Sequence, residues 1–496
     1  MSSSDPSPRP PVNQWKTLDK DLGRIGLLEQ ATAFAARPLV APGIALAFIV
    51  LVAAASLALT GLQPGTFVVV AATVVGAYMA LNIGANDVAN NMGPAVGANA
   101  LTLGSALVIA AIFEVAGALI AGGDVVNTIA SGIVSPDAVA DSRTFVWAML
   151  AALLAAALWL NLATFIGAPV STTHSIVGGV VGAGMVAAGV SAVNWPGMLR
   201  IAASWVVSPV LGGVIAAAFL AFIKYRILYQ PDKIAAARRW VPVLIGVMAG
   251  AFGAYLALKG LSRVFKVELG TALAIGLASG LLAWGASVPM IIRQSAGLEN
   301  RKKSIRKLFG VPLVCSAALL SFAHGANDVA NAVGPLAAIV HAVREGDVGG
   351  QVAIPFWVMA IGAAGISFGL VLFGPRLIRL VGSQITKLNP MRAYCVSLSA
   401  AATVIVASWL GLPVSSTHIA VGAVFGVGFF REWHAERRAR ELGIRKGKPV
   451  APEERVRRKL VRRSHFITVA AAWVVTVPVS AGLSALLFVL LRAVAD

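Results

Sequence analysis

Long apolar segments, separated by short polar or basic stretches, make up most of this chain. No charged residue occurs from residue 38 to residue 86, which leaves room for two membrane spans joined at 61–65. The further apolar segments are 101–121, 145–163, 169–189, 198–223, 241–259, 269–292, 310–332, 352–373, 392–411, 414–430 and 466–491. Because a full span needs about 20 apolar residues, the pattern predicts an all-α integral membrane protein with about 11–13 membrane segments.

Composition agrees with a membrane protein. Hydrophobic residues are 58% of the chain and charged residues 12%, whereas a soluble domain carries about 25% charged residues. Residues 1–37 are polar and predict a cytoplasmic tail with a short interfacial helix at 17–36 and no secretory signal peptide. Cys315 and Cys395 share no metal-type spacing, so we interpret them as small core residues without a disulfide.

Basic residues are concentrated in alternate loops. The loops that hold 33 of the 40 Lys and Arg residues are 1–37, 224–239, 293–307, 374–392 and 431–463. Since basic loops mark the cytoplasmic side, we expect a cytoplasmic N-terminus and a periplasmic C-terminus in the inner (plasma) membrane. The net charge of +19 therefore does not indicate nucleic acid. The insertion at 431–463 is interpreted as a topogenic loop, with binding to anionic lipid or to a cytoplasmic regulator as alternatives.

Two polar motifs each occur twice inside apolar segments. The sequence Gly-Ala-Asn-Asp-Val-Ala-Asn stands at 84–90 and again at 325–331, and Pro-Val-Ser-(Thr/Ser)-Thr-His follows at 169–174 and 413–418. The second motif begins 85 residues after the first in one pair and 88 in the other. Matched motifs at nearly one spacing indicate a duplicated unit. An ionisable group in an apolar segment is costly, so its default interpretation is functional.

The duplication divides the chain. We predict an extra N-terminal span within 38–65, a first unit at 66–223, two linking spans and basic loops within 224–309, and a second unit at 310–491. An odd number of crossings separates the two copies, so the units are predicted to be inverted. The segments 145–189 and 392–430 leave no room for normal loops, and we expect re-entrant hairpins or broken helices there.

The paired motifs resemble those of the PiT family of inorganic phosphate transporters. The resemblance covers residues 66 to 491 and rests on 84–90, 325–331, 169–174 and 413–418. It implies cation-coupled uptake of phosphate through an inverted-repeat membrane fold. It also implies that these motifs form the phosphate sites and the sodium or proton sites.

The residue types of the motifs suit an oxyanion beside a cation. Hydroxyls at the starts of two half-helices offer donors to phosphate, with simple helix capping as the alternative; they are Ser171, Thr172, Thr173, Ser415, Ser416 and Thr417. Carboxylate and amide oxygens make hard-oxygen sites for the coupling cation, with Na⁺ at the aspartates and a buried structural role as the alternative; they are Asn86, Asp87, Asn90, Asn327, Asp328 and Asn331.

Three further residues are candidate accessory groups. Glu114 matches an acidic position of the family, but its counterpart near 365–369 is not acidic, and Ser397 stands where some members carry Glu. These departures leave the coupling ion open. His174 and His418 make a poor zinc site, and we expect hydrogen bonding or helix packing from them. Apart from Asp87, Glu114 and Asp328, no charged side chain is expected well inside the apolar segments.

The function predicted from these observations is secondary active import of inorganic phosphate, coupled to Na⁺ or H⁺. The alternatives are a symporter for sulfate or for a metal–phosphate complex and, in another class, a passive anion channel. No nucleophile elbow is present, so we do not expect an enzyme. We expect no cofactor beyond the co-transported ion, and the sequence leaves a homodimer open.

Overall fold

The computed structural model describes residues 39–135, 138–139, 141–166, 170–261, 265–346, 352–384, 388–441 and 463–495. Within these ranges the chain forms helices, turns and one isolated bridge between Val134 and Val193, but no strand. The predicted interfacial helix at 17–36 lies outside the described residues.

The helices of the first unit follow a single N-terminal span. They are α1 (Leu39–Thr60), α2 (Thr66–Gly97), α3 (Leu103–Ala121), α4 (Gly123–Ser131), α5 (Ser142–Ile166), α6 (Thr172–Ala188) and α7 (Trp195–Ile223), which ends in a π-helical turn at Lys224–Leu228. Gly61 and Gly65, at φ 68° and 85°, make the turn between α1 and α2. Only glycine adopts such angles readily, so the predicted joint at 61–65 is confirmed.

The second unit follows two linking helices. The remaining helices are α8 (Lys233–Lys259), α9 (Leu269–Ser295), α10 (Lys302–Leu308), α11 (Gly310–Asp328), α12 (Ala330–Glu345), α13 (Phe356–Gln384), α14 (Pro390–Trp409), α15 (Ser416–Glu441) and α16 (Arg463–Ala495). Eleven helices among the described residues are long and apolar enough to span a membrane. The prediction of an all-α multi-pass membrane protein is confirmed.

Several boundaries differ from the predicted ones. The short helices α4 and α10 were not predicted, because nine and seven residues are too few to show as apolar segments. Helix α15 continues to Glu441, eleven residues beyond the predicted end at 430. The start of the insertion 431–463 is thus helical, and residues 442–462 lie outside the described part. Cys315 is partly buried and Cys395 is buried, and both are free thiols in this structure.

Several helices of the first unit pack against helices of the second unit. Helix α2 packs on α13 and α11 on α3, while α6 packs on α16 and α7 on α15. The first residue of each Asn-Asp motif lies at such a contact. A Cβ on Gly84 would stand 1.9 Å from the Ile366 carbonyl oxygen, and one on Gly325 would stand 2.1 Å from that of Glu114. Glycine therefore allows the backbones to touch next to each motif.

The two motif-bearing helices pass each other in opposite directions. A Cβ on Gly65, at the start of α2, would meet Val343 near the end of α12, whereas one on Gly76 would meet Leu336, earlier in α12. The order of the contacts is reversed along the two chain segments, as inverted units require. Inversion of the whole units stays a prediction.

Burial places these helices at the centre of the molecule. In the most apolar part of the segment Gly310–Glu345, which comprises α11 and α12, 89% of the residues are buried. The corresponding share is 17% in α9 and 22% in α1. Because lipid tails cover apolar surface as well as protein does, α1 and α9 are placed as peripheral helices and α11–α12 as the core.

Candidate substrate and cation site

The structure brings the four motifs together at one buried site. Helix α2 carries Asp87 and α11 ends at Asp328, and neither side chain is exposed to any extent. The hydroxyls at the starts of α6 and α15 lie against them. Nine of the twelve predicted motif residues, all except Ser171, Asn327 and Ser415, are Asp87, Asp328 or side chains hydrogen-bonded to them or to Asn331.

Asp328 is held by donors from both units. Its Oδ1 accepts from the Thr173 hydroxyl at 3.3 Å and from Asn331 Nδ2 at 3.1 Å, and its Oδ2 accepts from the Ser416 hydroxyl at 3.0 Å. Asn331 Nδ2 also approaches the hydroxyls of Thr173, at 3.2 Å, and Thr172, at 3.4 Å. Both oxygens of this carboxylate are therefore bonded.

Asp87 has a similar set of partners on one oxygen only. Its Oδ1 accepts from the Thr417 hydroxyl at 2.9 Å, from Asn86 Nδ2 at 3.1 Å and from Asn90 Nδ2 at 3.4 Å. Asn90 Nδ2 in turn donates to the Thr417 hydroxyl at 2.8 Å. The buried Oδ2 accepts no hydrogen bond from the described residues. A buried carboxylate oxygen without a donor is a natural ligand for a cation.

Each half of the site is completed by the other unit. Thr173 belongs to the first unit and donates to Asp328 in the second, whereas Thr417 belongs to the second and donates to Asp87 in the first. In both halves an Asn amide donates to the Thr hydroxyl, which donates to the Asp carboxylate. The hydroxyls predicted to bind phosphate are thus hydrogen-bonded to the carboxylates predicted to bind the cation.

His324 is the main residue that the sequence interpretation overlooked. Its Nε2 lies 2.9 Å from Asp328 Oδ2 and 3.7 Å from Asp87 Oδ2, and its Nδ1 lies 3.2 Å from Glu114 Oε1. The expectation that carboxylates were the sole ionisable groups here was wrong. The sequence does contain a signal for His324, because residues four apart share a helix face and His324 precedes Asp328 by four.

Glu114 belongs to the same cluster, as an accessory group. Its Oε1 also accepts from Asn91 Nδ2 at 2.9 Å, and Glu114 is 1% exposed. Asn91 lies next to Asn90 in the first copy, whereas the second copy has Ala332 in that place. The duplicated motif identifies only residues that both copies share, so it did not predict Asn91.

Asn327 is directed away from Asp328. Its Nδ2 donates to the Ser408 hydroxyl at 3.0 Å and to the Leu412 carbonyl at 3.1 Å, and its Oδ1 accepts from the Val414 N–H at 3.2 Å. It therefore fixes the linker between α14 and α15. In the first unit the corresponding linker residues 167–169 lie outside the described part.

Ser171 and Ser415 act as helix caps in this conformation. Their hydroxyls accept from the backbone N–H groups of His174, at 3.2 Å, and His418, at 3.3 Å. Each cap fixes the half-helix start beside the carboxylates. The two histidine rings contact each other edge to face at 4.6 Å, and Trp205 lies 3.9 Å from His174. This geometry favours the packing role over a zinc site.

The buried cluster contains a set of ligand atoms for a cation. Asp87, His324 and Asp328 each offer one ligand atom, and these atoms all lie within 4.8 Å of one another. The carbonyl-type oxygen of Asn331 is also buried without a donor among the described residues. Carboxylate and amide oxygens are the ligands that hard cations prefer.

A multi-pass helical fold with a buried polar site shared between two repeated units is the architecture of a membrane transporter. The model of the phosphate transporter family matches residues 83–484, most of the chain. The chain therefore belongs to the phosphate transporter family. Its members are permeases and not enzymes.

Individual proteins show the same likeness. A protein of Helicobacter pylori strain J99 described as a "Putative phosphate permease" is 46% identical over 504 aligned positions, covering 90% of this chain and 95% of the relative. A protein of the same description from Pyrococcus abyssi is 38% identical and covers 84% and 96%. A solved structure titled "The sodium-dependent phosphate transporter" superposes with a TM-score of 0.78 at 34% identity, covering 86% of this chain and 99% of that one.

Proposed function

We propose that this protein imports inorganic phosphate by symport with Na⁺. The hydroxyls at the starts of α6 and α15 bind the oxyanion, and Asp87 and Asp328, with their Asn neighbours, bind the driving cation. The observation that carries the proposal is the direct hydrogen bond from Thr417 to Asp87 and its counterpart from Thr173 to Asp328. These bonds make the anion donors and the cation ligands parts of one network.

Charge explains why the two ligands would travel together. Phosphate is an anion, and Asp87, Glu114 and Asp328 are buried carboxyl groups around the same site. Like charges repel strongly where the local dielectric constant is low. A cation at the carboxylates reduces that repulsion, and it leaves the hydroxyls free to donate to phosphate. The sodium-dependent title of the structural relative supports Na⁺ as that cation.

The arrangement of the basic loops supports the predicted topology. Lys224, Lys302, Arg392 and Arg431 come from four of the loops predicted to be cytoplasmic, and the last three lie close enough to Lys224 for their charges to act on it. Asp124 and Lys259, from segments predicted on the opposite side, form an ion pair with each other. We infer that the convergent basic loops mark the cytoplasmic face of an inner-membrane protein.

The decisive experiment is uptake of labelled phosphate into proteoliposomes with imposed ion gradients. An inward Na⁺ gradient is expected to accumulate phosphate above its external concentration, and a sodium ionophore to abolish the accumulation. Accumulation driven by a proton gradient without Na⁺ would contradict the assignment of Na⁺. Uptake that never exceeds equilibrium would indicate a passive channel, and equal competition by sulfate would contradict phosphate specificity.

A further inference from the structure

A basic and aromatic cluster lies where the π-helical turn at the end of α7 meets the C-terminal half of α15. It consists of cations from the π-helical turn, α10, α14 and α15, together with aromatic rings from α15 and the π turn. Arg431, Lys302, Arg392 and Arg438 lie close enough to Lys224 for their charges to repel it, and Arg306 repels Arg392 in the same way. Lys302 and Arg438 both lie over the Tyr229 ring, 6.0 Å and 4.5 Å from its centre. Lys224, Arg392 and Arg431 are only partly exposed.

The cluster lacks a matching set of acids. In the described part of the chain, Lys224, Lys302, Arg306 and Arg392 form no ion pair with a carboxylate. Glu432 stands near Arg431, and Glu441 pairs with Arg437 at 2.8 Å. Partly buried cations packed together repel each other unless an anion lies between them.

Aromatic rings lie against individual cations of this cluster. Lys224 Nζ lies 4.9 Å from the centre of the Phe430 ring, and Arg438 lies 4.5 Å from that of Tyr229. Tyr225 and Trp433 are 50% and 52% exposed. Tyr and Trp are enriched at the level of lipid headgroups, where an apolar body and a polar tip are both satisfied.

We propose that this cluster binds the phosphate group of an anionic phospholipid at the cytoplasmic surface. Cations supply the charge for the headgroup, and the exposed rings supply apolar surface for the start of the acyl chains. The exposed rings favour a lipid over free phosphate, because inorganic phosphate gains nothing from apolar surface. The site is separate from the buried carboxylate cluster and does not depend on the proposed transport function.

The test measures which lipid stays with the purified protein. Wild type in neutral detergent is incubated with equal amounts of phosphatidylglycerol and phosphatidylcholine, and mass spectrometry counts the retained lipid. Phosphatidylglycerol should be preferred, and the preference should fall roughly tenfold in the double variant Lys224→Gln, Arg392→Gln, since basic residues near an anionic surface each strengthen binding. The variant Lys224→Arg, which keeps the charge, should retain the preference if the fold is intact.

A charge-matched control distinguishes binding at this site from non-specific electrostatic attraction of anionic lipid to the basic protein. The double variant Arg301→Gln, Arg440→Gln also removes two cations, but both are exposed and face Glu299 and Glu436. It should bind phosphatidylglycerol as wild type does. Equal retention of the two lipids by wild type, or equal losses in the two double variants, would overturn the proposal. Displacement of the lipid by millimolar inorganic phosphate would identify free phosphate as the ligand and would also overturn it.

Discussion

The two halves of the buried site have the same motif but different surroundings. Among the described residues, Asp328 has hydrogen-bond donors for both oxygens, whereas Asp87 has donors for Oδ1 only. His324 approaches Asp328 to 2.9 Å and Asp87 to 3.7 Å, and the first copy has Ile83 where the second has His324. Duplication therefore preserved the ligand types without preserving equal sites. In this conformation Asp87 is the better placed to accept a cation.

In both halves the motif begins with a glycine whose backbone touches a neighbouring helix. Substitution of these glycines should have the largest effect. We expect Gly84→Ala and Gly325→Ala each to abolish folded protein in the membrane, because a Cβ would overlap a backbone carbonyl at 1.9 Å or 2.1 Å. The measurement is the amount of monodisperse protein after extraction. Gly104→Ala is the control, since no atom lies within 4 Å of its added Cβ. A stable Gly84→Ala protein would show that α2 and α13 can separate.

Removing one carboxylate charge should eliminate transport in either half. Asp87→Asn and Asp328→Asn are each expected to abolish concentrative phosphate uptake, because the cation then lacks a charged ligand. Residual phosphate binding to purified protein should depend less on Na⁺, since less negative charge opposes the anion. Titrations across a series of Na⁺ concentrations check this. A variant with wild-type Na⁺ dependence and concentrative uptake would remove its aspartate from the cation site.

The same pair of variants should differ in stability. An amide in place of Asp328 would put an NH₂ group among donors that now bond both carboxylate oxygens, and this mismatch costs about 1–3 kcal/mol. Asp87→Asn can place its NH₂ group at the position of Oδ2, which accepts no hydrogen bond from the described residues. Thermal unfolding of the two purified variants tests the difference. A lower melting temperature for Asp87→Asn than for Asp328→Asn would contradict the comparison of the halves.

The crossing threonines should matter to a similar degree in both halves. Thr173→Val and Thr417→Val keep the shape but remove the hydroxyl between an Asn amide and an Asp carboxylate. We expect each to weaken phosphate binding by about 1–3 kcal/mol, the usual cost of a lost buried partner. Binding of labelled phosphate to purified protein at fixed Na⁺ measures this. Thr→Ser at the same positions is the control and should restore most of the affinity.

The two units also differ in the residue that caps the start of α5 and of α14, and this difference should have the smallest effect. The N–H and hydroxyl of Thr144 donate to Asp141, both at 2.8 Å, and these bonds lower the pKa of Asp141 below its ordinary value of 3.8. The corresponding start of α14 is capped by Asn389, which does not titrate.

A lowered pKa means that the contribution of Asp141 to stability is present above pH 4 and is lost as the pH falls through the folded-state pKa. Because Asp141 is exposed, the loss should stay below about 1 kcal/mol. Thermal unfolding between pH 6 and pH 3 should show this component in wild type and not in Asp141→Asn. An identical pH dependence in the two proteins would show that ionisation of Asp141 does not contribute to stability.

Apolar length was sufficient to predict the long helices but not the short helices α4 and α10. The joint at 61–65 is confirmed, and motif duplication predicted correctly that Asp87 and Asp328 lie beside hydroxyls of the second motif. His324 and Asn91 were missed because each stands in one copy only, and their roles depend on how α2, α3 and α11 pack. The orientation of Asn327 toward the 410–414 linker depends on a tertiary contact that spacing alone does not predict.

The hydrogen bond between Thr417 and Asp87 also has a consequence for biosynthesis, because 330 positions separate the two residues. The ribosome makes Asp87 and the membrane receives α2 long before the hydroxyl that bonds this carboxylate exists. Until α15 arrives, the nascent chain must keep a charged group in or beside the lipid without its final partner. A product truncated before residue 417 would retain that defect permanently, and membrane quality-control proteases that recognise unsatisfied polar groups in spans should degrade it faster than the complete chain.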